Sequence, residues 1–125
     1  VEVRILVPGA SDLQSVQWAG EHVYEPLLKH GVHIHQWGST HMHAKAAVVD
    51  SRWCMFGSYN LDFVSLLYNL ELVIEVVGDI TPPQLARQLR EDCAKSERVD
   101  ASTWEERPTA HKLRSSLAYR FRRWL

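Results

Sequence analysis

The apolar pattern changes period several times along the chain, and each change predicts an element. Val1–Val7 (Val-Glu-Val-Arg-Ile-Leu-Val) reads as a strand already under way, ended by Pro8-Gly9. Ser11-Asp12-Leu13-Gln14 has the form of a capping box, and Leu13, Val16, Gly20, Val23, Tyr24 and Leu27 follow at helical spacing. The spacing predicts a helix over 12–30, kinked in its last turn by Pro26 and closed by Gly31. Val32–Trp37 is a short strand, which makes a strand–helix–strand unit with parallel pairing as the default. Two further strands are predicted over 43–50 and 53–57, joined tightly at Ser51-Arg52, and Leu70–Val77 reads as a central strand. Thr81-Pro82-Pro83-Gln84 is a second capping box, opening a helix to about Ser96. The tail from Asp100 to Leu125 reads as helical with a break at Pro108. These elements predict an α/β fold, a mixed sheet flanked by helices.

Composition narrows the picture only a little. The 125 residues suffice for one domain with its own core, and a net charge of −1 gives no whole-molecule attraction to polyanions. No apolar run approaches the length of a transmembrane helix, and no signal-peptide pattern opens the chain. The start without Met, inside a strand, predicts a piece of a longer protein. Cys54 and Cys93 form no metal or redox spacing and read as core thiols of a reducing compartment.

The candidate chemistry lies in His43-Ala-Lys45-Ala-Ala-Val-Val-Asp50, followed after six residues by Gly57-Ser58-Tyr-Asn60. On a strand, His43 and Lys45 share a face with Ala47 and Val49, which sets an imidazole beside an ammonium. Such a pair suits attack on a phosphodiester. The imidazole can act as a nucleophile, dividing one substitution into two easier ones. Lys45 offers charge to nonbridging phosphate oxygens, and Ser58 and Asn60 are candidate hydrogen-bond donors to them. Gly57 permits close backbone approach. An attacking imidazole must be unprotonated on one nitrogen, so the other needs an acceptor, for which Glu71 is the candidate.

His-x-Lys-x4-Asp-x6-Gly-Ser-x-Asn resembles the signature of the phospholipase D superfamily at every specified position. Chance agreement at six positions is on the order of 10⁻⁸ per starting point. The resemblance implies that His43 is the nucleophile, that Lys45, Ser58 and Asn60 bind phosphate, and that Asp50 and Gly57 are structural members of the motif. It implies that Glu71 orients the histidine. Arg4–Asp12, Leu27–Ile34 and Asn60–Glu71 further resemble the C-terminal half of bacterial cardiolipin synthases, over roughly residues 2–100. One departure is Val64 before Ser65, where many of these enzymes carry Arg, a difference that bears on substrate choice more than on catalysis.

The resemblance implies phosphatidyl transfer between phospholipids through a phosphohistidine, with phosphatidylglycerol as the typical partner and no cofactor. It places the protein in the bacterial cytoplasm or peripherally on the cytoplasmic face of the membrane. A second motif copy is required, from a missing N-terminal half of the same chain or from a homodimer mate, so the isolated domain is expected to be inactive. The rival readings are a nuclease or phosphodiesterase of the same superfamily and a non-catalytic phosphate-binding module; the lack of a basic run near the motif disfavours nucleic acid. His33, His35, His41 and His43 form two His-x-His pairs that could suggest zinc, but no Cys or carboxylate lies in the same run, and no metal site is assigned. The catalytic half-domain is expected over 1–108 and a basic amphipathic helix over 109–125. That helix holds Lys112, Arg114, Arg120, Arg122 and Arg123 with no acid, and Leu113, Leu117, Phe121, Trp124 and Leu125 recur at helical spacing. It either lies on an anionic membrane surface or docks on its own domain.

Overall fold

A computed structural model describes every residue except Asp12, Ser39, His41, Leu61, Asp62 and Leu125, and of Phe63 the backbone alone. The chain is α/β, as expected, and forms two compact units, residues 1–42 with 95–125 and residues 43–94. Among the described residues, no helix is long and apolar enough to cross a membrane.

The first unit contains β1 (Arg4–Pro8), α1 (Gln14–His22), α2 (Tyr24–Lys29) and β2 (His33–Trp37). It is completed by β6 (Glu97–Arg98), α5 (Ala101–Glu105) and α6 (Thr109–Arg120). β1 and β2 pair in parallel, Ile5 opposite Ile34, as the strand–helix–strand pattern predicts, and β6 adds antiparallel to β2. Ile34 and Val99 meet Tyr24 at the centre of the core, walled by Val7, Val23, Leu27, Leu28, Val32 and Trp104. Asp100 caps α5 by accepting from the backbone N–H groups of Ser102 and Thr103. Pro108 separates α5 from α6, where the sequence placed the break.

The long helix expected over 12–30 is two helices, broken at Val23 rather than kinked in the last turn. The reason is Pro26: lacking an N–H, it cannot bond the His22 carbonyl, and its ring crowds that carbonyl, so the helix ends at His22. The first capping box does not form either. Leu13 is the N-cap with no side-chain bond, while Ser11 Oγ accepts from Leu13 N at 3.2 Å; Asp12 lies outside the described residues.

The second unit contains β3 (Ala46–Val49), β4 (Trp53–Gly57), α3 (Phe63–Leu67), β5 (Val73–Val77) and α4 (Thr81–Lys95, whose last residue groups with the first unit). The three strands form an antiparallel sheet in the order β3-β4-β5. β5, read from its apolar run as central, is an edge strand of this sheet, and four of its five residues are exposed. α4 starts at Thr81 itself, with Pro82 and Pro83 in a first turn whose N–H groups would lack helix partners anyway. Cys54 and Cys93 are both buried.

Asp50 and Ser51 both take positive φ, 50° and 53°, and Arg52 N bonds Val49 O at 3.0 Å across them. This is the hairpin geometry that follows the natural twist of the two strands, and Asp is among the non-glycine residues that tolerate it best. Asp50 thus has a conformational task in the turn between β3 and β4.

Candidate active site

The registers of the second unit bring three separate segments to one end of its sheet. Ala46 pairs with Phe56, and Gly57 N bonds Lys45 O at 3.1 Å, so the chain at Lys45 runs beside Gly57. Gly57 in turn pairs with Val73, and Ser58 N bonds Leu72 O at 3.0 Å, so Ser58 runs beside Leu72 and close to Glu71. His43, exposed, and Lys45, half-buried, lie just before β3, because the strand begins at Ala46 and not at 43 as predicted. The shared strand face expected for His43 and Lys45 therefore falls on chain outside the ladder. Asn60, half-buried, follows β4 in irregular chain.

Gly57 is required by contact rather than by backbone angle. A Cβ on it would lie 2.1 Å from the Leu72 carbonyl oxygen and 2.9 Å from Val73 Cα. Absence of a side chain lets β5 enter close enough for the next residue, Ser58, to bond both Leu72 backbone groups. Leu72 O accepts from Ser58 N, and Leu72 N donates to Ser58 Oγ at 3.0 Å.

Ser58 Oγ donates its proton to Glu71 Oε2, and Asn69 Nδ2 donates to Glu71 Oε1 at 3.2 Å. The Ser58 hydroxyl bond holds the Glu71 carboxyl below its ordinary range, with further lowering from Ser65, Asn69 and the Lys45 charge. Lys45 Nζ itself donates to His43 O at 3.0 Å, which ties the ammonium back to the histidine's own backbone. The arrangement keeps Glu71 ionised, and its carboxylate feels the Lys45 charge.

Lys45, Gly57, Ser58 and Glu71 are thus brought together by backbone pairing and side-chain bonds. The His43 ring is not joined to Glu71 by a hydrogen bond. Ser58 has one hydroxyl proton, and here it goes to Glu71 and not outward, so donation to a phosphate would require that bond to break. Ser65 and Asn69, which help to set the state of Glu71, were not singled out from the sequence. Asn69 sits two residues before the acid, a spacing that could have flagged it. Ser65 is buried in α3, and only the fold reveals that it faces Glu71. Of the four histidines of the zinc reading, His41 lies outside the described residues and His33 Nδ1 lies 3.7 Å from Glu2 Oε1. Among the described residues, no three His, Cys, Asp or Glu side chains gather as a metal site would need.

Comparison with known proteins places residues 1–95 in a match to the family described as "Cardiolipin synthase, PLD-like domain". Cardiolipin synthase A of Serratia proteamaculans is 34% identical over 97% of this chain. Cardiolipin synthase A of Yersinia pseudotuberculosis is 33% identical, again over 97% of the chain. The chain spans about a quarter of the length of these relatives, 25% in each case. No solved structure matches it significantly.

Proposed function

Because the chain belongs to the cardiolipin synthase family of phospholipase D-like domains, we propose that it supplies one half of the active site of a phosphatidyltransferase. The observation that carries this reading is the joining of Lys45, Gly57, Ser58 and Glu71 at one end of the β3–β4–β5 sheet, with His43 two residues from Lys45. A site with a nucleophilic nitrogen, a compact cation and an ionised carboxylate suits transfer of a phosphoryl group through a covalent intermediate.

In this mechanism a ring nitrogen of His43 attacks the phosphorus of a phospholipid. The N–P bond forms as the P–O bond to the departing alcohol breaks, and that oxygen takes a proton from a second acid. Lys45 and Asn60 hold the nonbridging oxygens. Ser58, whose proton is engaged, acts as a positioning residue for Glu71, and joins the phosphate only when substrate displaces that bond. Glu71 accepts from the His43 ring once the ring turns toward it, favouring the tautomer whose other nitrogen is free to attack. A second lipid's hydroxyl then gives its proton to the same acid–base group and forms the new O–P bond as the N–P bond breaks. That group is the histidine of a second motif, supplied by another part of the same protein or by a dimer mate.

The test is His43→Ala in a chain that includes a second motif, assayed for phosphatidyl transfer on phosphatidylglycerol vesicles and for cleavage of DNA. Loss of transfer with an unchanged circular dichroism spectrum is expected, as is unchanged wild-type turnover in saturating EDTA. Near wild-type transfer by the variant would remove His43 as nucleophile. DNA cleavage without lipid transfer by the wild type would move the protein to the nuclease branch, and zinc-restorable inhibition by EDTA would reinstate the metal reading of His41 and His43. Residues 1–125 alone should be inactive and gain activity when the second motif is added.

A further inference from the structure

α6 packs on α1 through a face that its apolar pattern does not mark. His111 Nε2 lies 2.7 Å from Glu21 Oε2, Ser115 is fully buried, and the Tyr119 ring stacks on His22 at 4.6 Å. The Arg114 guanidinium covers the Trp18 ring at 4.3 Å. These three contacts and the burial of Ser115 commit the 111–115–119 side of the helix to its own unit. Two positions along a helix amount to a turn of about 200°, so residues 113 and 117 must face away. They do: Leu113 is 70% exposed, Leu117 57%, Phe121 53% and Trp124 85%. The helix is docked, and its apolar stripe is left in solvent.

Charge along the stripe has one sign. Thr109–Leu125 contains five Lys or Arg residues and no Asp or Glu. One flank of the helix opens on a cleft of about 420 Å³ shared with α2, lined by Lys29, Arg107, Lys112, His22 and Glu25. Both Glu25 oxygens are engaged, Oε1 with Lys29 at 3.0 Å and Oε2 with Arg107 at 3.3 Å, and Glu105 approaches Lys29 at 3.8 Å. Lys112 has no ion pair among the described residues and stands next to Leu113, at the edge between cleft and stripe.

We propose that the outer face of α6 and this adjoining cleft form a docking surface for an anionic phospholipid bilayer. Leu113, Leu117 and Phe121 enter the boundary between headgroups and acyl chains, and a lipid phosphate meets Lys112 at the mouth of the cleft. Here cations of one sign border the apolar stripe, the pattern that matches an acidic membrane surface. The inference extends the proposed function by naming the surface that brings the chain to its lipid. Because it is read by vesicle binding and not by turnover, either can fail without the other.

The experiment measures binding of residues 1–125 to vesicles of phosphatidylglycerol mixed with phosphatidylcholine, and to vesicles of phosphatidylcholine alone. Binding to the mixed vesicles, weakening as salt rises, is expected. The double variant Leu117→Glu, Phe121→Glu should lose at least about tenfold in affinity. Lys112→Gln should lose about fivefold, the value of one lysine near an acidic surface. Ile80→Glu, a change at an exposed apolar residue of the other unit, should bind as the wild type does. Circular dichroism checks that each variant is folded, and Lys112→Gln, on the surface, keeps the test open if the double variant is not. Equal affinity of the wild type and both helix variants would overturn the proposal. So would equal binding to neutral vesicles, or a dimer in light scattering that the double variant dissociates with vesicle affinity unchanged, which would assign the stripe to a second copy of the chain.

Discussion

Gly57→Ala puts one methyl group where the Leu72 carbonyl oxygen already is. The added carbon would sit 2.1 Å from that oxygen and 2.9 Å from Val73 Cα, whereas ordinary contact begins at 3.4 Å. An opening of more than 1 Å at the entry to β5 is needed to relieve the clash. That movement disrupts the two 3.0 Å bonds between Ser58 and Leu72, because both span the same gap. Overpacking costs about 1–3 kcal/mol and each of the two lost bonds about 0.5–1.5 kcal/mol, so the substitution should destabilise by about 2–6 kcal/mol. Relative to a total stability of about 5–15 kcal/mol, that is a large fraction. Urea unfolding followed by circular dichroism measures it. The internal control is Gly20→Ala in α1, where an added carbon meets nothing within 4 Å. A helix-interior alanine there should be neutral or stabilise by up to about 1 kcal/mol. If Gly57→Ala and Gly20→Ala shift the midpoint equally, the close-approach account of Gly57 is wrong. In an active parent protein, Gly57→Ala should also lower turnover through displacement of Ser58 and Glu71.

Three other outcomes test the same physical reasoning. Ile34→Ala, at a residue 1% exposed in the core of the first unit, should cost about 2–5 kcal/mol in the same unfolding assay; a cost comparable to that of a surface substitution would place the core elsewhere. Asp50→Gly should be neutral or stabilising while Asp50→Val loses about 1–2 kcal/mol, since only the latter is strained at positive φ; equal stabilities would exclude a conformational role for Asp50. The Asp100 carboxyl is lowered from 3.8 to about 2, chiefly by the Ser102 hydroxyl. A depressed carboxylate stabilises fully above its unfolded value and loses that contribution as pH falls through the folded value. Asp100→Ala should therefore lower Tm at neutral pH, and the gap to wild type should close as pH falls from 3.8 to about 2; a gap that persists below that range would show that the ionised cap is not its source.

Local interactions explain what was legible in the sequence. The β3–β4 hairpin, the start of α4 and the break at Pro108 depend on neighbours a few residues apart, through turn geometry, missing N–H groups and side-chain period, and the parallel β1–β2 pairing follows from the default of a strand–helix–strand unit. The motif at His43, Lys45, Asp50, Gly57, Ser58 and Asn60 was equally legible, because its spacing lies within one hairpin and the segment after it. What period could not decide was which side of an element meets a partner. The apolar run of β5 suggested a central strand, yet its place at the edge depends on how many strands pair with it. Leu113, Leu117 and Phe121 mark an apolar helix face, yet α6 docks through His111, Ser115 and Tyr119, because α1 offers Glu21 and His22 as partners for hydrogen bonding and stacking. Glu71 was identifiable as an acid near the motif, but its bond from Ser58 arises only because the β4–β5 register carries residue 58 to residues 71 and 72. Sequence spacing supplies the groups, and long-range register decides which of them share a proton.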